Sequence, residues 1–204
     1  MSKKPIIVFE GIDCSGKSLH INHISKFLKK KKISFIKIRE PGGSKNSEQI
    51  RNVLFNNKNK FHRNTDLLLY MASRSENMEI IKKNYKKKII LIDRFIDSTI
   101  AYQHYGMGIN IRIIDNLNKF LLSKIKPNFT FINIVSPKNM INRLKKRKNL
   151  NRYDKFKINF YRKVQNGYLK IQKKNTKKYQ VIDTNLSIEF NKKKILDKIK
   201  ELIL

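Results

Sequence analysis

The chain has 204 residues, 40% of them hydrophobic, enough for one domain whose core needs neither disulfides nor a structural metal. Its single cysteine, Cys14, excludes an internal disulfide and fits a reducing cytoplasm. No apolar run approaches the length of a membrane span, so the expectation is a soluble cytoplasmic protein with no membrane partner.

Lys and Arg number 47 against 15 Asp and Glu, a formal charge of +32. Such an excess attracts phosphate backbones. The lysines are spread along the whole chain, however, while Asn and Ile are abundant and Trp is absent. That pattern reads as compositional drift, with non-specific polyanion affinity but no specific nucleic-acid partner.

Met1-Ser2-Lys3-Lys4 leads straight into residues 5–10, an apolar, β-branched run that reads as a buried strand. Next comes Gly11-Ile12-Asp13-Cys14-Ser15-Gly16-Lys17-Ser18, which fits the phosphate-loop pattern G-x-x-x-x-G-K-[ST] at every fixed position. Residues 19–30 follow with Ile21, Ile24, Phe27 and Leu28 at helical spacing. A glycine-rich turn between strand and helix directs backbone N–H groups and the positive helix end at one anion. Lys17 is expected to reach the outer phosphates of ATP and Ser18 to ligate Mg²⁺.

Residues 33–39 read as a second strand, ending in the sharp loop Arg39-Glu40-Pro41-Gly42-Gly43. Helices are predicted over 47–55 and 65–84, with a polar loop at 56–64. A third strand, 88–93, ends in Asp93-Arg94. Helices follow within 97–105 and 111–123, then a strand over 128–135 and a helix opened by Pro137. Residues 143–154 form a basic, helix-poor connector. A helix over 156–174, a strand over 179–183 and a helix over 187–202 close the chain. Strands alternating with helices predict an α/β fold in three layers: a parallel five-stranded sheet with helices on both faces. One domain is expected over 1–204, with ligands gathered at the carboxyl ends of the strands. An apolar strand ending in Asp93 beside a phosphate loop suits a carboxylate that holds Mg²⁺.

Three blocks together resemble the thymidylate kinase family of P-loop nucleoside monophosphate kinases. They are Phe9-Glu10-Gly11-Ile12-Asp13 through Lys17-Ser18, Arg39 to Gly43, and Asp93-Arg94-Phe95 with Ser98, Ala101, Tyr102 and Gln103. The likeness extends to Pro127-Asn128 and to Asn151-Arg152-Tyr153-Asp154. It implies phosphoryl transfer from MgATP to dTMP, giving dTDP and ADP for dTTP synthesis, by a homodimer. The acceptor phosphate is already anionic near neutral pH, so cations and alignment matter more than a strong base.

By this resemblance Arg39 and Arg94 hold the acceptor phosphate, and Asp13 lies by the sugar 3′-OH and the reacting phosphate. Tyr70 stacks on thymine, Arg74 and Thr99 meet the base, Tyr102 packs beneath the sugar, and Gln103 helps line the pocket. Residues 143–154 correspond to a lid, with Arg147 the expected catalytic arginine and Arg143 and Arg152 alternates at ATP. Departures from the family pattern are Leu19 after Ser18, Ser75-Glu76-Asn77 after Arg74, and Cys14 in place of a glycine. The thiol of Cys14, close to Lys17 and a helix N-terminus, is expected to have a lowered pKa, with a buried inert thiol as the alternative. The rival functions are another P-loop nucleotide or deoxynucleoside kinase, or a basic, nucleic-acid-stimulated P-loop ATPase.

Overall fold

Five parallel strands carry the architecture: β1 (Ile6–Gly11), β2 (Phe35–Arg39), β3 (Ile89–Asp93), β4 (Phe129–Ile134) and β5 (Tyr179–Asp183), in the order β2-β3-β1-β4-β5. The computed structural model describes residues 4–203; residues 1–3, most of the polar lead into β1, lie outside them, as does residue 204. The predicted three-layer α/β fold is the one observed.

Alternation along β1 explains the layering. Ile7 and Phe9 face a core shared with α1 (Lys17–Lys30) and α8 (Ile188–Ile203), through Ile21, Ile24, Leu28, Ile195 and Ile199. Ile6 and Val8 face the opposite core, with Met78 and Ile81 of α3 (Arg63–Asn84) and Leu122 of α5 (Ile111–Leu122). Every residue of β1 is buried, as a central parallel strand covered on both faces requires.

Register sets the site. Phe9 and Arg39 both pair with Asp93, and Gly11 pairs with Asn133, so the carboxyl ends of β1, β2, β3 and β4 finish at one level. Gly11 has φ of 137°, and a Cβ there would stand 2.2 Å from the Asn133 carbonyl oxygen, so only glycine fits between β1 and β4.

Helix α2 (Lys45–Phe55) is capped by Ser44, whose side chain accepts from Ser47 N. The helix predicted within 97–105 is irregular: α4 (Ile96–Thr99) runs into a π-helical stretch, Ile100–Gly106. There the backbone meets α7 (Ile158–Lys174), and a Cβ on Gly167 would stand 2.6 Å from the Tyr105 ring. The connector begins later than expected. Arg143 and Lys145 belong to α6 (Pro137–Lys145), which Ser136 caps and Pro137 opens, while Arg152–Lys155 forms one 3₁₀ turn with an Asn151–Asp154 capping box.

Candidate active site

At the level where the strands end lies a cavity of about 480 Å³. Its lining includes residues 13–18 of the phosphate loop, Arg39 from β2, Asp93 at the end of β3 and Arg94 just after it, Arg143 from α6 and Arg147 beyond it. Tyr70, Arg74, Thr99, Tyr102 and Gln103 complete the other wall. Gly11 and Ile12 lie beneath it; the side chain of Ile12 is in the core.

Lys17 Nζ donates to the carbonyls of Gly11 (3.1 Å) and Ile12 (2.9 Å), so the ammonium lies under the loop it closes. Burial, with repulsion from Arg94, brings its pKa down to about 8. Ser18 Oγ donates to Asp93 Oδ2 at 3.4 Å, while Asp93 Oδ1 is buried with no partner.

Arg94 has a positive φ of 66°. Its Nη1 donates to the Gly11 carbonyl (2.7 Å) and its Nη2 to Asp13 Oδ1 (2.9 Å). Tyr102 donates its hydroxyl to Asp13 Oδ2 at 2.8 Å. Burial alone would raise the Asp13 carboxyl, but Arg94 and Lys17, with Tyr102, bring it below its ordinary value. Arg39 sits at the rim, half exposed, with Nε and Nη2 on the two oxygens of Glu48 (3.1 and 2.8 Å).

On the far wall Gln103 is 1% exposed and its Nε2 has no partner. The rings of Tyr70 and Tyr102 stand edge-on to Tyr153, with centroids 6.0 and 6.5 Å away.

Cations from four separate segments thus converge on one cleft opposite an aromatic wall. A family model described as thymidylate kinase matches residues 9–195. The chain belongs to the thymidylate kinase family. It is 37% identical to the thymidylate kinase of Kosmotoga olearia over 90% of this chain and 89% of that one. It is 40% identical to that of Thermosipho africanus over 90% and 91%. The crystal structure of thymidylate kinase from Ehrlichia chaffeensis superposes with a TM-score of 0.79 at 33% identity, covering 97% of this chain and 98% of that one.

Within this thymidylate kinase framework three residues behave differently from their sequence reading. Arg152 does not line the cavity. It is held by Asp66 and the Leu54 carbonyl, under the rings of Phe61 and Tyr153, because the buried carboxylate of Asp66 on α3 demands a cation. Arg74 has every N–H engaged within the protein. Its partners are Glu40 Oε2 (2.8 Å), Asn118 Oδ1 (2.7 Å), the Phe95 carbonyl (2.9 Å), Thr99 Oγ1 (3.0 Å) and, weakly, Met71 Sδ (3.7 Å). For Cys14 the expected lowering is reversed: burial and the Asp13 carboxylate push the thiol up, outweighing Arg147 and Lys17.

Several residues of the site carried no role in the sequence reading. Glu10, fully buried, accepts from Phe95 N (2.8 Å), Ser98 N (3.2 Å) and Tyr168 Oη (3.1 Å), fixing the turn that presents Arg94. Burial keeps its carboxyl raised despite those bonds. Its signal was an acid one residue before Gly11 at the end of an otherwise apolar strand. Glu48 and Asp66, which bind Arg39 and Arg152, gave no local signal, because each meets its partner through tertiary packing.

Proposed function

We propose that the chain transfers the γ-phosphoryl group of MgATP to dTMP, yielding dTDP and ADP for dTTP synthesis. The observation that carries this reading is that Lys17, Arg39, Arg94 and Arg147 converge on one cleft beside Asp13. Two polyanions can be held there close and in line, the main demand of a loose, charge-spread transition state.

The loop amides and Lys17 bind the ATP phosphates. Arg143 Nη1 donates to the Cys14 carbonyl (3.0 Å) and Nη2 to the Thr184 carbonyl (2.6 Å), tying the loop to the segment after β5 at the nucleoside end. Arg94 and Arg39 grip the acceptor phosphate, whose planar forks suit paired oxygens; Arg39 leaves Glu48 to do so. Asp13 accepts the sugar 3′-OH, and Tyr102 floors the sugar. Tyr70 stacks on the base. Gln103 offers adjacent C=O and NH₂ groups, which match the N3–H and O4 edge of thymine. Arg74 acts through Thr99: by donating to Oγ1 it leaves the threonine hydroxyl proton free for the base.

Residues 143–154 act as a lid, with Arg147 as its catalytic arginine. Arg147 lines the cleft and reaches Asp154 Oδ1 at 2.6 Å. Mg²⁺ fits the site: Ser18 and the unpartnered oxygen of Asp93 would hold it, directly or through water. Among the described residues no cluster of three His, Cys, Asp or Glu side chains could hold a metal ion. When bound, the ion would neutralise charge on the β- and γ-phosphates.

A homodimer is supported by Leu68 on α3 and by Ile113 and Phe120 on the adjoining α5, all exposed; Phe120 is 81% accessible. No helix of the described residues is long and apolar enough to cross a membrane. We place the enzyme in the cytoplasm, where its substrates are.

The test is to mix the protein with MgATP and each nucleoside monophosphate in turn and separate the products. Formation of dTDP from dTMP well above every other diphosphate is expected. ATP turnover stimulated by DNA or RNA without dTMP would overturn the reading.

A further inference from the structure

A second cavity, of about 460 Å³, lies between α5 and α7 on the sheet face opposite α1. Its volume suits a small organic ligand. Most of its wall surface is apolar, supplied in part by Ile100, Leu122, Ile125 and Ile171. Its mouth carries the exposed lysines Lys119, Lys126, Lys174 and Lys178 against one exposed acid, Asp115. The entrance is therefore strongly cationic, while the interior is oily.

One buried polar group inside has an atom without a partner. Asn118 lines the cavity, is 6% exposed, and its Nδ2 has no partner. A buried amide N–H₂ left unsatisfied is costly, and an acceptor on a ligand would relieve it. Asp97, 8% exposed, lines it too and is hydrogen-bonded to Tyr179; burial lifts its carboxyl to about 7, so near neutrality it opposes an anion less than a full charge would.

The cavity is also wired to the acceptor pocket. Asn118 Oδ1 accepts from Arg74 Nη1 at 2.7 Å, and Arg74 Nη2 donates to Thr99 Oγ1 at 3.0 Å. Arg74 and Thr99 line the dTMP side of the active site, and Phe95 lines both cavities. At 100° per residue, Asn118 and Leu122 lie on the face of α5 opposite Ile113 and Phe120, so a ligand here would not compete with a dimer formed through those residues.

We infer that this cavity is a second binding site, for a small amphipathic anion with an apolar ring or short chain and one acidic head group, coupled to dTMP binding through Asn118 and Arg74. The apolar part lies against Leu122 and Ile171, an acceptor of the ligand meets Asn118 Nδ2, and the head group stays at the lysine mouth. The coupling rests on the dTMP reading above; occupancy of the cavity does not.

The probe is 8-anilinonaphthalene-1-sulfonate, followed by its fluorescence on the full chain. One probe per chain should remain bound when dTMP and a non-hydrolysable ATP analogue are saturating. The double variant Lys174→Glu/Lys178→Glu, altered only at exposed positions, should weaken binding by about tenfold. Ile171→Trp, with circular dichroism as the check on folding, should remove the site by filling it. Saturating dTMP should shift the probe affinity severalfold, and reciprocally. Displacement of all probe by dTMP and the ATP analogue, or unchanged affinity in the lysine variant, would overturn the site. An affinity indifferent to dTMP would overturn the coupling.

Discussion

Tyr102 and Asp13 are joined by a 2.8 Å hydrogen bond, from the phenol to Oδ2, while Arg94 holds the other carboxylate oxygen. Tyr102, Asp13 and Arg94 are therefore linked as one hydrogen-bonded unit, the one proposed above to hold the acceptor's sugar and phosphate. The Asp13 carboxyl titrates below its ordinary 3.8, so its contribution to stability is present above that value and is lost as pH falls through the lower folded value. Tyr102→Phe removes one of the groups that lower it. Urea melts between about pH 2 and 5 should show a smaller loss of stability on acidification in the variant than in the parent protein, because its folded and unfolded pKa values lie closer together.

Lys17 behaves in the opposite sense. Its folded pKa of about 8 lies below the ordinary 10.5. The folded chain then binds fewer protons than the unfolded chain between those values, so this group adds stability as pH rises from 8 to 10.5. In Lys17→Met that gain should be missing, and without nucleotide the variant should be more stable at pH 7 by on the order of 1–3 kcal/mol. Denaturation curves across this range measure the difference, and calorimetry should show that the variant no longer binds ATP.

Arg74 and Glu40 form a buried pair, 2% and 5% exposed, at 2.8 Å. Arg74→Ala leaves Glu40 buried without its cation and should cost about 3–5 kcal/mol in chemical denaturation. The dTMP KM should also rise, because Thr99 and the turn at Phe95 lose their donor.

Asp66 anchors the end of the segment proposed as a lid, through Arg152 and the Tyr153 hydroxyl (3.0 Å). Asp66→Ala should lower kcat about tenfold, equivalent to ~1.4 kcal/mol. Residues 146–156 should become more sensitive to limited proteolysis.

Cys14, with its thiol pKa raised by burial and by Asp13, should react slowly with iodoacetamide near pH 7.5 and faster only as the pH approaches or passes its ordinary value of 9.0. Mass spectrometry of the modified peptide follows the rate. Rapid modification at pH 7.5 would contradict the raised thiol.

The strand–loop–helix of residues 5–30 was readable because its information is local: an apolar run, fixed glycines, then helical spacing. The ends of β2 and β3 were readable for the same reason, each punctuated by a charged residue after an apolar strand. What escaped depends on contacts between distant segments. The Cys14 reading weighed Lys17 and the helix end but not burial or Asp13, and burial is the largest influence. Arg152 lies in a basic run, and only packing against α2 and α3 shows that Asp66 takes it. Similarly, the saturation of Arg74 by groups on α3, α4, α5 and the loop after β2 appears only when those elements are assembled.

The decisive measurement is steady-state formation of dTDP from dTMP and MgATP by the parent chain and by Arg94→Ala, with calorimetric ATP affinity as the control for folding. If Arg94 grips the acceptor phosphate, the variant should keep ATP affinity within about threefold while kcat/KM for dTMP falls on the order of 10³-fold. A variant that still makes dTDP at close to the parent rate, with ATP binding unchanged, would contradict the clamp of convergent arginines.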